Sequence, residues 1–363
     1  MNVLLISREY PPYEKGGICR IAVYLAKYAD RYGVNLTIIA NHPLLGIATE
    51  KVNSTIIYRV PSLGKTFLTQ MPSFGYYASR MVDKIQDDYD VLYSIYSPLF
   101  CRIKRPFIGG FFSTRYGEYV TCRKTGKPFH ALLNRGFVPM EKRLIQKADG
   151  LTVNSEKLMQ EIWTMGGRKK PIEHIPSGVD TEIFRPLQSR QFNRREKRIL
   201  CVARLDVRKG LDFLFHAFKK VARNVKSRLI IGGGGMERAH LVKLAKSLSI
   251  PVQFLGTIPY ERLVGLYNEA DLFVLPSLYE GMPLVALEAM ACGTPTIVSD
   301  ASPNIGIPRF KRGDVESLER MLIETLTDEE KLSALSERSI EISKHYSWKR
   351  IVDHTYRILR SFT

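Results

Sequence analysis

Short runs of apolar, β-branched residues alternate with helix-length amphipathic patterns along most of the chain, and this alternation limits the possible folds more than any other feature. Near the start, residues 3–7 and 36–40 have the pattern of buried strands, and residues 17–33 between them have the pattern of a helix. A strand, a helix and a second strand in this order form a βαβ unit, which requires a parallel sheet. The sequence therefore predicts an α/β fold.

The alternation stops in the polar, basic stretch 185–198 and then starts again. A chain of 363 residues is also long enough for two domains. We therefore predict an N-terminal domain over residues 1–190 and a C-terminal domain over 191–346, with a helix over about 347–363 that packs back on the first domain. Both are expected to be doubly wound, Rossmann-like domains that face each other across a cleft.

Composition and cysteine spacing narrow the class of protein. Hydrophobic residues make up 45% and charged residues 25% of the chain, which excludes a disordered or fibrous protein. No run approaches the roughly 18–20 apolar residues of a membrane helix, and the N-terminal segment lacks the basic start of a signal peptide. The five cysteines are odd in number and widely spaced, which argues against disulfides and a zinc site. We expect a cytoplasmic, reduced protein.

The segment 276–300 gives the clearest chemical signal. A buried strand ends at Pro276, and Pro283 suits the first position of a helix that stops at Gly293. The first amides of this helix would then point to the carboxyl edge of the sheet, where phosphates bind in open α/β folds. Glu288 lies among apolar residues of the same helix, so its charge requires a ligand or partner, such as the hydroxyls of a ribose.

Three other interpretations of the motifs have weaker support. Glu280 and Glu288 could form a glycoside hydrolase pair, but such an enzyme needs neither a phosphate-binding helix nor the cations Arg204 and Lys209. The glycine tract 232–235 lacks the third glycine of a nicotinamide-binding loop. The sequence Asp88-Tyr89-Asp90 is similar to a metal-binding D-x-D, but it also fits the solvated entry to a strand.

Together these residues resemble the retaining glycosyltransferases of family 4, which have the GT-B fold. The resemblance is most specific in the E-x7-E element from Glu280 to Glu288, in R-L-x-x-x-K-G at 204–210 and in V-x-F-L-G at 252–256. The segments KADGLTVNSE, HIPSGVDTEIFRP and EYPPYEKGG are also similar to family segments. The resemblance spans most of the chain and is weaker over residues 60–135.

The resemblance implies that the protein transfers a sugar from a UDP- or GDP-sugar, or a similar nucleotide-sugar, to a glycan or lipid-phosphate acceptor. The implied transfer is metal-independent, needs no cofactor and retains the anomeric configuration. Arg204 and Lys209 would neutralise the donor diphosphate, and Glu280 would bind the transferred sugar. The implied catalytic residues are Glu280, Arg204 and Lys209, and the implied donor-binding residues are Gly16, Gly17, Arg204, Lys209, Thr257, Ile258, Glu280, Gly281, Met282, Pro283, Leu284, Val285 and Glu288.

Two departures from the family pattern leave alternatives open. Many members carry a histidine where this chain has Phe112 or Ser113, and the segment 301–313 is shorter than is usual. The alternatives are a nucleotide-sugar epimerase or hydrolase of the same fold, and a non-catalytic nucleotide-sugar-binding relic.

The net charge of +18 is concentrated in the N-terminal half. Residues 102–147 contain eleven basic and two acidic residues, interleaved with aromatic and aliphatic ones. Such a mixture favours an anionic membrane surface or a lipid-phosphate acceptor, against the alternative of a merely soluble basic face. No recognition motif accompanies the charge, so a nucleic-acid partner is not predicted. We therefore expect peripheral binding to the cytoplasmic face of a membrane through this segment.

Overall fold

The computed structural model describes residues 1–13, 17–42, 46–64 and 67–363. The chain forms two compact units. Unit 1 comprises Met1–Ser177 and Trp348–Thr363, and unit 2 comprises Gly178–Ser347. Each unit has a largely parallel sheet with connecting helices, so the predicted α/β class and the two Rossmann-like domains are confirmed.

Unit 1 contains an eight-stranded sheet with the strand order β3-β4-β2-β1-β5-β6-β7-β8. All neighbouring strands are parallel except β3 and β4, which are antiparallel. The elements are β1 Asn2–Ser7, α1 Ile18–Tyr28, β2 Asn35–His42, β3 Ala48–Val52, β4 Thr55–Pro61, α2 Phe67–Lys84, β5 Val91–Ile95, β6 Phe107–Phe111, α3 Arg115–Lys124, α4 Pro128–Arg135, α5 Val138–Lys147, β7 Gly150–Val153, α6 Glu156–Ile162 and β8 Ile172–His174.

The central strands of unit 1 are buried on both faces, as expected for a parallel sheet covered by helices. Residues 3–6 in β1 and all of β5 and β6 are buried. The last helix of the chain belongs to this unit. The Trp348 ring stacks on Tyr24 of α1 with centroids 4.8 Å apart, and the Tyr356 hydroxyl donates to the Leu25 carbonyl at 2.7 Å.

Unit 2 contains a six-stranded parallel sheet with the order β11-β10-β9-β12-β13-β14. The first strand, β9, lies between β10 and β12, so the order reverses there and creates the switch point at which open α/β sheets bind ligands. The elements are β9 Lys197–Val202, α7 Leu211–Asn224, β10 Ser227–Gly232, α8 Arg238–Leu248, β11 Val252–Gly256, α9 Tyr260–Glu269, β12 Leu272–Leu275, α10 Leu284–Ala291, β13 Thr296–Ser299, β14 Arg309–Phe310, α11 Val315–Leu326, α12 Glu329–His345 and, in unit 1, α13 Trp348–Arg360.

The unit boundary lies after Ser177 and not at the predicted position after residue 190. The stretch 185–198 has the polarity of a linker, but its residues are bound to unit 2. The Arg190 guanidinium donates to the carbonyls of Tyr267, Ala270 and Cys292 at 2.6–3.3 Å. Phe184, just before this stretch, belongs to the core of unit 2. Because of these contacts, residues 178–190 belong to unit 2, and the boundary lies after Ser177.

Candidate functional site

The candidate site lies at the carboxyl ends of β9 and β12, on the two sides of the switch point in unit 2. Arg204 and Lys209 follow β9, whereas Glu280 follows β12. Because β9 and β12 are parallel neighbours, the segments that follow them emerge at the same edge of the sheet. The fold therefore brings together residues that lie far apart in the sequence.

An ion pair joins the two segments. Lys209 Nζ lies 2.6 Å from Glu280 Oε2, and the Ser277 hydroxyl donates to the same oxygen at 2.9 Å. The two charged side chains are only 17% and 14% exposed, so solvent screens the pair less than it screens a surface pair. The lysine and the glutamate are thus held in defined positions, as a cation and an anion side by side.

A short 3-10 turn, Val207–Lys209, places Lys209. The Asp206 carboxylate caps this turn by accepting from the Arg208 amide at 3.0 Å, and it also pairs with the Arg208 guanidinium at 2.6 Å. Burial alone would raise the pKa of Asp206, but the charge of Arg208 and the hydrogen bond that it donates hold that pKa below its usual value. Gly210 then takes a left-handed φ of +62°, where a Cβ would lie 2.3 Å from the Pro276 carbonyl oxygen. Only glycine allows this approach of the turn to the end of β12.

The glycine tract 232–235 supports the segment that carries Arg204. The amides of Ala203 and Leu205 donate to the carbonyls of Gly232 and Gly234 at 3.0 and 2.9 Å, and Arg204 between them is exposed. A Cβ on Gly233 would lie 1.9 Å from the Ala203 carbonyl oxygen. The tract therefore packs against protein backbone and aligns the segment from which Arg204 projects.

Thr257 and Ile258 lie against the same glycine tract. A Cβ on Gly232 would lie 2.3 Å from Ile258 Cδ1, and one on Gly234 would lie 3.1 Å from Thr257 Oγ1. The structure thus places these two predicted donor-binding residues beside the backbone that aligns Arg204.

Helix α10 begins one residue later than predicted, at Leu284, with Pro283 as its N-cap residue. The amides of Leu284 and Val285 are in the first turn and have no partner within the helix. Gly281 and Met282, which precede the helix, are buried. The helix ends at Ala291, and Gly293 takes a left-handed φ of +72°. The positive end of the helix dipole therefore lies four residues after Glu280, which is the partner of Lys209.

Glu288 is 8% exposed, and its carboxylate has a phenol as a partner. The Tyr267 hydroxyl, from α9, donates to Glu288 Oε2 at 2.9 Å. Burial raises the pKa of Tyr267 well above its ordinary value, and the nearby charge of Glu288 raises it further. The phenol therefore stays protonated and remains a donor. The Arg190 guanidinium and the Thr294 hydroxyl both donate to the Tyr267 carbonyl at 2.6 Å. These bonds fix the residue that orients Glu288.

The remaining predicted residues belong to unit 1. Gly17 is exposed and immediately precedes α1, whereas Gly16 lies outside the described residues. Asp90, from the D-x-D sequence, has a structural partner, because its carboxylate accepts from the Asn2 amide at 2.7 Å. Within the described part of the chain, no three His, Cys, Asp or Glu residues are grouped as metal ligands would be.

Sequence reasoning missed three contributors to the site. Ser277 and Tyr267 orient Glu280 and Glu288, and the glycine tract 232–235 aligns Arg204. Pro276-Ser277 follows β12 directly, so its position at the sheet edge was a usable signal. Tyr267 gave no such signal, because its apolar helical pattern is that of an ordinary core residue.

Comparison with known structures defines the class as GT-B. The structure superposes on the sucrose-phosphate synthase of Thermosynechococcus elongatus with a TM-score of 0.82 and 19% identity, covering 99% of this chain and 98% of that one. Residues 15–183 match the model of Glycosyltransferase Family 4, and residues 184–341 match that of the Glycosyl transferases group 1. The chain therefore belongs to the glycosyltransferases that combine these two domains.

Two relatives illustrate this family. A GDP-mannose-dependent monoacylated alpha-(1-6)-phosphatidylinositol monomannoside mannosyltransferase of Corynebacterium glutamicum is 30% identical over 244 residues. The match covers 61% of this chain and 64% of the relative, slightly less than two thirds of its length. An uncharacterised glycosyltransferase of Methanocaldococcus jannaschii is 28% identical over 328 residues, covering 82% of this chain and 80% of that protein.

Proposed function

We propose that this chain transfers a hexose from a nucleotide-sugar donor to an acceptor, with retention of anomeric configuration and without a bound metal ion. The observation that carries the proposal is the arrangement at the switch point of unit 2. Two cations, Arg204 and Lys209, occur at the same sheet edge as the first amides of α10 and the buried Glu288.

The chemistry of a leaving diphosphate fits this edge. When the bond between the anomeric carbon and the diphosphate oxygen breaks, the diphosphate keeps the electron pair and gains negative charge. Cations and oriented amides that face this charge stabilise the transition state more than the ground state. We assign this role to Arg204, Lys209 and the amides of Leu284 and Val285.

The two carboxylates of the E-x7-E element have different roles in the proposal. Glu280 keeps Lys209 in place through the 2.6 Å ion pair, and its second oxygen is assigned to the transferred sugar. Glu288 is assigned to the ribose, because a carboxylate accepts hydrogen bonds from two vicinal hydroxyls. Gly281, Met282 and Pro283 shape the backbone at this position, and Thr257 and Ile258 border it.

For the acceptor, we propose a glycan or lipid-phosphate presented at an anionic membrane surface. The basic segment 102–147 supports this proposal, because it attracts anionic headgroups. The name of the Corynebacterium relative also includes a phosphatidylinositol mannoside, which is a lipid-phosphate acceptor. The assignment of Gly16 and Gly17 to the donor phosphates and the cytoplasmic location remain predictions from the sequence.

Calorimetric titration with UDP, GDP and ADP in the presence of EDTA tests the donor site. We expect at least one nucleotide to bind, and we expect Arg204→Gln to weaken binding about 10- to 100-fold, the value of a hydrogen bond to a charged group. Arg228→Gln is the matched control, since Arg228 pairs with Glu196 at the opposite, amino end of β10. Binding that requires Mg²⁺, or no binding of any of the three nucleotides, would contradict the proposal.

Product analysis tests the reaction. Glu288→Ala should mainly weaken nucleotide binding, whereas Glu280→Ala should mainly lower kcat with a nucleotide-sugar. Proton NMR of the product reports the anomeric configuration, and inversion would refute the proposed stereochemistry. Release of free sugar without transfer to any acceptor would favour a hydrolase, and donor binding without turnover would favour a non-catalytic protein.

A further inference from the structure

Helix α4 has an exposed apolar face that the packing of unit 1 does not explain. Phe129 and Leu132 lie three residues apart on the same side of the helix, and each is 68% exposed. Pro128 is also exposed on this side, and Ala131 is the single buried residue of α4. Only Ala131 of this helix packs in the core, so the packing of α4 does not account for a phenylalanine and a leucine on its solvent-facing side.

The stretch of chain that carries this face is basic and contains no acidic residue. Between Glu118 and Glu141 the chain carries Arg123, Lys124, Lys127 and Arg135 and no acidic residue. Glu118 and Glu141 themselves are buried, so they do not offset the charge at the surface. The guanidinium of Arg123 also lies 5.9 Å from the centroid of the Tyr119 ring.

The exposure of the apolar side chains shows which of those in the segment 102–147 are available to a membrane. Phe107, Phe111 and Phe112 belong to the mixture of basic and apolar residues over 102–147, but they are buried in unit 1 and so are not available at the surface. Within that segment, Phe129 and Leu132 are the two described apolar side chains that are most exposed. Also, no helix in the described ranges has both the length and the apolar character needed to cross a bilayer.

We propose that α4 lies in the headgroup region of an anionic bilayer, with Phe129 and Leu132 inserted at the acyl boundary and the flanking cations on lipid phosphates. This inference rests on the proposed membrane-presented acceptor and names the element that makes the contact. An in-plane helix with an apolar face and basic flanks is the usual form of an interfacial anchor. A second copy of the chain is a poor occupant, because two such faces carry charge of the same sign.

Charge and insertion make separate contributions, and each has a measurable size. Every Lys or Arg near an anionic surface raises the partition coefficient onto the vesicles several-fold, and this contribution falls with added salt. Burying an exposed phenylalanine or leucine raises the same partition coefficient about tenfold for each side chain, and this contribution is insensitive to salt. Binding through both should therefore weaken with salt without disappearing.

Sedimentation with vesicles of phosphatidylcholine and phosphatidylglycerol tests the proposal. We expect the wild type to sediment with these vesicles at low salt and to partition much more weakly onto pure phosphatidylcholine, where only the apolar contribution remains. The Phe129→Ser/Leu132→Ser double variant should lower partitioning by at least tenfold, and Arg123→Glu/Lys124→Glu/Lys127→Glu should abolish it. Met236→Ser, at an 82% exposed methionine of unit 2, is the matched control and should change nothing.

Insertion is measured directly with Phe129→Trp. Its emission should shift to shorter wavelength with the anionic vesicles and should be quenched by lipids brominated on the acyl chain. Absence of this shift, or unchanged partitioning of the serine variant, would overturn insertion of α4. A wild type that ignores the vesicles, or an apolar face that instead causes self-association in sedimentation velocity runs, would overturn the whole inference. Nucleotide binding of the same variants is measured without vesicles, so failure of the donor site is recognised separately.

Discussion

The buried carboxylate of Glu141 in α5 leads to a prediction about the pH dependence of unit 1. Its oxygens accept from the Arg115 amide at 2.6 Å, the Tyr96 hydroxyl at 2.7 Å and the Tyr116 amide at 3.1 Å. The residue is only 4% exposed. Burial raises the pKa of Glu141 from 4.5 to about 7, which means that burial outweighs the three hydrogen bonds that favour the charged form.

The sign and size of the effect follow from the two pKa values. The folded state holds the Glu141 proton more tightly than the unfolded chain does, so folding is favoured where the carboxyl is protonated in both states. This contribution is fully present below pH 4.5 and is lost as the pH rises to about 7. At 1.36 kcal/mol for each unit, the loss in the free energy of unfolding of unit 1 is about 3 kcal/mol.

Glu141→Gln removes the titration and keeps a side chain of the same shape. The difference in unfolding free energy between Glu141→Gln and the wild type should therefore shift by about 3 kcal/mol in favour of the variant between pH 4.5 and pH 7. Urea unfolding followed by tryptophan fluorescence reports on the right part of the molecule. The two tryptophans of the chain, Trp163 and Trp348, both lie in unit 1.

Glu173→Gln is the control for the loss of one carboxylate, because Glu173 is an exposed residue of the same unit. Its unfolding free energy should follow the wild-type curve across the pH range. If Glu141→Gln also follows the wild-type curve to within about 1 kcal/mol, the reasoning about burial and the raised pKa of Glu141 is refuted.

Three further predictions concern unit 2. Tyr267→Phe removes a donor from the buried Glu288 carboxylate, so the Kd of a nucleoside diphosphate should rise about tenfold in calorimetry, and an unchanged Kd would separate Tyr267 from the site. Arg190→Lys cannot span the carbonyls that the guanidinium joins, so hydrogen exchange in residues 267–294 should accelerate; unchanged exchange would show that the bonds are dispensable. Gly233→Ala places a Cβ 1.9 Å from a carbonyl oxygen at a φ of +121° and should destabilise unit 2 by about 1–3 kcal/mol in urea, whereas Gly265→Ala, in a helix with open space around it, should not; equal unfolding midpoints would contradict this.

The repeating apolar pattern was enough to predict much of the fold. In residues 211–224 and 260–269 the apolar residues recur with a clear helical period, and the structure has helices with these bounds. Strand β3 was missed, since Ala48–Val52 is an edge strand with no buried residue and so has no apolar signal. Strand β3 exists because its backbone pairs with β4, and backbone pairing leaves no pattern of apolar side chains in the sequence.

Polar residues were harder to interpret than apolar ones. A basic, aperiodic stretch predicts a solvated linker, but Arg190 in that stretch donates to buried carbonyls of unit 2. Composition does not distinguish a solvated cation from one that is bound by distant backbone. The same limit applies to Glu288, because its charged, apolar-flanked position predicted a partner but did not identify Tyr267, which lies on another helix. Such pairings depend on tertiary packing.

The division of unit 1 into two stretches of sequence has a consequence for biosynthesis. Helix α1 leaves the ribosome early, but α13, whose Trp348 and Tyr356 pack against it, is translated only after the whole of unit 2. Unit 2 is contiguous in the chain, so it can complete its fold during translation while the α1 surface of unit 1 is still uncovered. The nascent chain therefore passes through a stage in which the domain made first is the domain finished last, and chaperones would have an apolar surface to bind until α13 arrives.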